Sequence, residues 1–168
     1  RRSSDLGADT FLIRQKKDLE EAVQNGRLQG IVLPGGESTV QGKLLRDLGM
    51  SDQLKELIEA GTPVLATCAG LILLAERVSN DDRAYLKTLP VSVKRNAYGR
   101  QLGSFVTDAE IAHIGIYRMN FIRAPYIDEI LDPQVETLAI VDGNTVAVRY
   151  KNQLALSFHP EVSEDEIG

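Results

Sequence analysis

The stretch Pro63-Val-Leu-Ala-Thr-Cys-Ala-Gly-Leu-Ile-Leu-Leu-Ala75, "PVLATCAGLILLA", decides how this chain is read. It is an apolar run interrupted by small residues, and the interruption carries Cys68, the only cysteine among the 168 residues. Ahead of it, "TPVLAT" (62–67) has the length and content of a buried strand. Behind it, the residues from Ala69 to about Arg77 read as an apolar helix. A strand that turns at once into a helix is the recurring joint of a parallel sheet.

The same joint recurs upstream. "LQGIVLPGG" (28–36) is a buried strand entering a glycine turn, and "STVQGKLLRDLG" (38–49) opens with a capping residue and continues with helical spacing. "SDQLKELIEAG" (51–61) repeats the signature, with Ser51 as cap, apolar residues at 54, 57 and 58, and Gly61 as stop. "KDLEEAVQNG" (17–26) reads as a helix ended by Asn25-Gly26, and "DTFLIR" (9–14) as a short strand. Downstream the character changes. Residues 135–161 form three short strands joined at Asp142-Gly143-Asn144 and Lys151-Asn152, both good hairpin turns. Region 77–100 reads as a loop-rich insertion. The expectation is an α/β fold in three layers: a mostly parallel central sheet with helices on both faces and an antiparallel C-terminal portion.

Composition narrows the function. The apolar share of 43% and charged share of 26% are those of a globular domain, and no repeat or interdomain linker divides the chain. With 19 basic and 24 acidic residues the formal charge is −5, which argues against nucleic acid or an anionic membrane as partner. No apolar run approaches the roughly 18 residues needed to span a bilayer, and "RRSSDLGADT" has no hydrophobic signal core. A single cysteine cannot form an internal disulfide, so a reducing, cytoplasmic setting is expected.

In a parallel sheet, ligands gather at the carboxyl ends of the strands, which is where Cys68 stands. Ala66, Ala69 and Gly70 flank it, and a nucleophile on a tight strand-to-helix turn needs such small neighbours. The helix N-terminus behind it lowers a thiol's pKa and offers N–H groups to an oxyanion. Free cysteines are also often small buried hydrophobes, so both roles stay open on these residues alone. A thiol nucleophile needs a base, and the base an orienting acid. The chain has two histidines. His113, in "AEIAHIGIYR", has no acid beside it in sequence and suits a surface or packing role. His159, in "LALSFHPEV", ends a strand, with Pro160 fixing the turn and Glu161 two residues on, on the same side of an extended segment. The third piece, "LPGGEST" (33–39), has two glycines between strand and helix that suit an anion or oxyanion, or form a plain capped turn. It lacks the lysine and spacing of a nucleotide-binding P-loop.

With these pieces in order the chain resembles the triad-type class I glutamine amidotransferases. Within them it is similar to the glutaminase-subunit family of pyridoxal 5′-phosphate synthase. The matching stretches are "LPGGEST", "TCAGLILLA", "RNAYGRQ" (95–101), "FIRAP" (121–125) and "SFHPE" (157–161), which together span residues 33–161. Cysteine plus "HPE" marks only the broad superfamily, whereas "PGGEST" with "RNAYGRQ" and "RAP" is specific to the vitamin B6 branch. The resemblance implies a flavodoxin-like fold with Cys68 as nucleophile, His159 as general base and acid, and Glu161 as orienting acid. It places Gly35, Gly36, Glu37, Ser38, Arg95, Ile122 and Arg123 at the glutamine site, with the oxyanion held near Gly36 and Ala69. It implies no cofactor and no metal. The partners it implies are L-glutamine and a separate synthase subunit that takes the ammonia, in a large hetero-oligomer.

Two departures from the family pattern stand out. Ala66 occupies a position, two before the nucleophile, that is usually glycine. The family also opens with a strand and glycine loop before its first helix and closes with a helix after "HPE". The expectation is a single glutamine amidotransferase domain over 1–168 that lacks that first strand and last helix. Two rival readings are a DJ-1-type cysteine hydrolase or chaperone and a catalytically inactive scaffold subunit. Those hydrolases often carry histidine directly after the cysteine, where this chain has Ala69.

Overall fold

Three parallel strands carry the chain to one edge of a sheet. In a computed structural model, the described residues are 13, 15–26, 28–34, 38–79, 84–95 and 104–159. Among them the first half runs α1 (Lys16–Gln24), β1 (Ile31–Leu33), α2 (Ser38–Asp47), α3 (Ser51–Glu59), β2 (Val64–Thr67) and α4 (Ala69–Leu74). β1 pairs parallel with β2, Leu33 opposite Ala66. On the other side of β2 lies β10 (Gln153–Leu156), also parallel, with Leu156 opposite Thr67. Leu33, Thr67 and Leu156 therefore end side by side, and whatever follows each is delivered to the same edge. The apolar runs of these strands are spent on burial: Val64, Ala66 and Ala155 are at most 4% exposed.

Beyond β10 the sheet turns antiparallel. β9 (Asn144–Tyr150) pairs with β10 and with β8 (Glu136–Val141), and β7 (Tyr126–Ile130) pairs with β9 and with β4 (Leu89–Lys94). β3 (Ala75–Val78) closes the order as a parallel neighbour of β4. Both expected hairpin turns form. Asp142 and Gly143 take φ of 52° and 81°, two successive left-handed residues as a two-residue hairpin loop demands, and Lys151 takes 54°. β5 (Ser104–Ile111) and β6 (Gly115–Ile122) make a separate two-stranded hairpin.

Three expectations need correcting. The helix after Cys68 stops at Leu74, because Ala75 turns extended (φ −61°, ψ 141°) and starts β3. Region 77–100 is not loop-rich throughout, since it contains the end of β3 and all of β4. Its signal was the period-two alternation of Leu89, Val91 and Val93, all 0% exposed, partly hidden by Pro90 at the strand's start. Ser51 is the first residue of α3 rather than its cap, which is Met50. The strand expected over 9–14 lies outside the described residues apart from Ile13.

The core has two parts. One gathers α4, β2 and β4 around Leu71, Leu74, Val91 and Val93. The other joins the β5–β6 hairpin to the ends of β9 and β10 through Met119, Phe121, Val146, Leu156 and Phe158. Within it Phe121 stacks on Phe105 (centroids 4.6 Å apart) and meets Phe158 edge-on at 5.7 Å. Phe158 thus ties the last described turn of the chain to the hairpin, immediately before His159.

Candidate active site

Cys68 sits between β2 and α4 with φ 51° and ψ −106°, a conformation that only a tightly held non-glycine residue keeps. Two features hold it. Its N–H donates to the Leu156 carbonyl at 2.8 Å, tying the turn to the end of β10. Behind it Gly70 packs directly on the backbone of Leu33, so close that a Cβ there would fall inside the Leu33 carbonyl. The small residue two after the nucleophile is thus dictated by contact between α4 and the end of β1. Ala66, where the family pattern has glycine, fits with its methyl wholly buried in the first apolar cluster.

Cys68 is 7% exposed and its Sγ donates to the Ile122 carbonyl at 3.9 Å. His159 reaches the same strand. Its N–H donates to the Asn120 carbonyl at 2.8 Å, and the two residues form an antiparallel bridge. So Cys68 and His159, from the ends of β2 and β10, both anchor on the free edge of β6, at carbonyls two residues apart. These carbonyls left no trace in the sequence reading, because a backbone acceptor can belong to any residue type.

Of the expected substrate contacts, Ile122 and Arg123 lie at this edge and are exposed. Arg123 takes φ 46°, a second left-handed non-glycine residue beside the nucleophile. Arg95 follows β4, whose Lys94 pairs with Tyr126, so it enters from the strand next to "RAP". It is partly buried, with Nε and Nη2 shielded from solvent. Ser38 begins α2, and Ala69 begins α4, where a first helical N–H has no intrahelical acceptor. Gly35, Gly36, Glu37 and Glu161 lie outside the described residues. His113 stands apart on the β5–β6 turn, exposed, with Nε2 2.8 Å from Glu136 Oε2: the surface role expected for it, with an acid partner that sequence distance concealed.

A strained thiol on a strand-to-helix turn, paired across the sheet with a histidine-bearing strand end, is the arrangement of the class I glutamine amidotransferases. A solved glutamine amidotransferase superposes with a TM-score of 0.85 over 97% of this chain and 84% of its own, at 39% identity. The SNO glutamine amidotransferase family matches residues 5–168, and the chain belongs to that family. Among curated relatives, the pyridoxal 5′-phosphate synthase subunit PdxT of Desulfitobacterium hafniense (strain DSM 10664 / DCB-2) is 57% identical over 95% of this chain and 77% of its own length. That of Methanocorpusculum labreanum is 52% identical over 95% of this chain and 81% of its own.

Proposed function

We infer that Cys68, His159 and Glu161 work as a nucleophile, base and orienting acid in the hydrolysis of glutamine. The chain is a glutaminase subunit: it releases ammonia from the side-chain amide of L-glutamine for pyridoxal 5′-phosphate synthesis. The supporting observation is the Cys68 elbow, its N–H bonded to the strand end that leads to His159. In the first step Sγ attacks the carboxamide carbon and the thiol proton passes to His159. The tetrahedral oxyanion is held by N–H groups of Gly36 and Ala69, each such donor worth about 3 kcal/mol when well aimed. His159 then protonates the leaving nitrogen, the C–N bond breaks, and ammonia departs from a thioester. Water, deprotonated by His159, attacks the thioester; the C–S bond breaks and glutamate leaves. Glu161 steadies the imidazole as its charge changes.

Gly35, Gly36, Glu37, Ser38, Arg95, Ile122 and Arg123 line the glutamine pocket, residues 1–168 form one amidotransferase domain, and the ammonia goes to a synthase subunit within a large cytoplasmic hetero-oligomer. No helix among the described residues is long and apolar enough to cross a membrane. The test is glutamate release from glutamine by the purified chain, with and without synthase. Slow release that accelerates with the partner supports this reading, and no release under either condition contradicts it.

A further inference from the structure

Among the described residues, two glycines sit against neighbours that leave no space for a Cβ: Gly70 on the Leu33 backbone, and Gly42 on the ring of Tyr85. The first contact fixes the end of β1. The second bears on α2, because Gly42 lies about one turn after Ser38, the first residue of that helix. Only three residues join Pro34 to Ser38, and so short a join transmits any shift of the helix. Tyr85 is itself firmly held, in a segment between β3 and β4. Its neighbours Leu86 and Thr88 donate their N–H groups to the carbonyls of Leu73 and Leu74, at 2.9 and 3.0 Å, which pins the segment to the end of α4. The Thr88 hydroxyl donates to Gln153 Oε1, and Gln153 Nε2 donates back to the Thr88 carbonyl, each at 2.9 Å, which pins it to the start of β10. The ring therefore projects from the same frame, α4 and β10, that adjoins Cys68 and His159. α2 packs on α4 as well. Arg46, one turn beyond Gly42 on the same face of α2, brings its guanidinium carbon to 6.0 Å from the ring centroid.

We propose that Tyr85 is a positioning residue for the hydrolysis: its ring, seated on Gly42, sets where α2 lies against the frame of α4 and β10. It thereby keeps Ser38, and the Gly36 donor two residues before it, in line with the carboxamide that Cys68 attacks. The inference rests on the glutaminase reading above, which gives Gly36 and Ser38 their roles. A ring that merely filled the gap beside a glycine would add stability and leave the chemistry alone.

The test replaces Tyr85 in the full chain, assayed with synthase and glutamine well below each variant's Tm. Tyr85→Phe keeps the ring and removes a hydroxyl that has no partner among the described residues, so it should match the parent. Tyr85→Leu and Tyr85→Met remove the ring. In them kcat should fall about tenfold to a hundredfold while KM changes less, because a donor displaced by about 1 Å loses much of its hold on the transition state. Alkylation of Cys68 by iodoacetamide, which forms no oxyanion, should keep its parent rate. Parent-like kcat in Tyr85→Leu and Tyr85→Met overturns the proposal. An equal loss in Tyr85→Phe, a slowing of alkylation that matches the loss of kcat, or a KM that rises as much as kcat falls overturns it too. So does failure of both ring-removing variants to fold, which would leave Tyr85 a structural role alone. An inactive parent would instead defeat the glutaminase reading.

Discussion

Strands β1, β2 and β10 run parallel and finish at one edge, whereas β4, β7 and β9 alternate in direction from one to the next and finish at alternating edges. The first arrangement concentrates chemistry, because segments distant in sequence deliver their next residues to one place. It brings Cys68 to Leu156 and so toward His159. The second arrangement spreads its turns to both edges, and the nearby hairpin serves the site with backbone: the carbonyls of Asn120 and Ile122. Side-chain identity therefore matters most in the parallel part, and backbone course in the antiparallel part.

The sharpest way to break that contrast is Cys68→Ala, expected to abolish glutaminase activity by on the order of 10⁴-fold or more with little change in Tm. Retained activity would move the chemistry elsewhere. Next in size is Gly70→Ala. The added methyl meets the Leu33 backbone, which cannot swing aside, so stability should fall by about 3 kcal/mol and activity with it as the elbow shifts. Thermal unfolding and glutamate release, measured together, check this.

A milder test lies one helix away. A Cβ on Gly42 would overlap the ring of Tyr85, over which the Arg46 guanidinium sits at 6.0 Å. Gly42→Ala should cost about 1–3 kcal/mol in the parent. In a Tyr85→Ala background the same change should stabilise, by up to about 1 kcal/mol, because only the helix preference of alanine remains. A double-mutant cycle in urea reads the reversal of sign, and no reversal would deny the contact.

The smallest effect belongs to the hairpin surface. The hydrogen bond from Arg118 to Asp108, with the guanidinium charge beside it, holds the Asp108 carboxyl below its ordinary value. A carboxyl lowered on folding stabilises above its unfolded pKa, and that contribution fades as pH falls through the lowered one. The pair is exposed, so Asp108→Asn should barely move Tm at neutral pH, and the difference from the parent should vanish in acid. A large neutral-pH loss would show the hairpin depends on it.

What could be read from the residues follows the same division. The parallel strands announce themselves as short apolar runs punctuated by "PGG", "TCAG" and "SFHP", where turn chemistry and function coincide. The two C-terminal hairpins were legible from Asp142-Gly143 and Lys151-Asn152, since left-handed turns restrict residue choice. β4 was missed because Pro90 masked its alternation, and the end of α4 because an unbroken apolar run such as "LILLA" has no stop signal. The acceptors on β6 were out of reach for a deeper reason: any residue supplies a carbonyl, so only the path of the backbone reveals them. The partner of His113, Glu136, is likewise near only in space.

The central claim is that Cys68 and His159 act together on a glutamine-shaped molecule. The most direct measurement is alkylation by an electrophilic glutamine analogue, a diazoketone or chloroketone, followed by peptide mass spectrometry in the presence of synthase. The account predicts one adduct, on Cys68, forming much more slowly in His159→Ala and suppressed by excess glutamine. An unmodified Cys68, or labelling at the same rate without the imidazole, would contradict it.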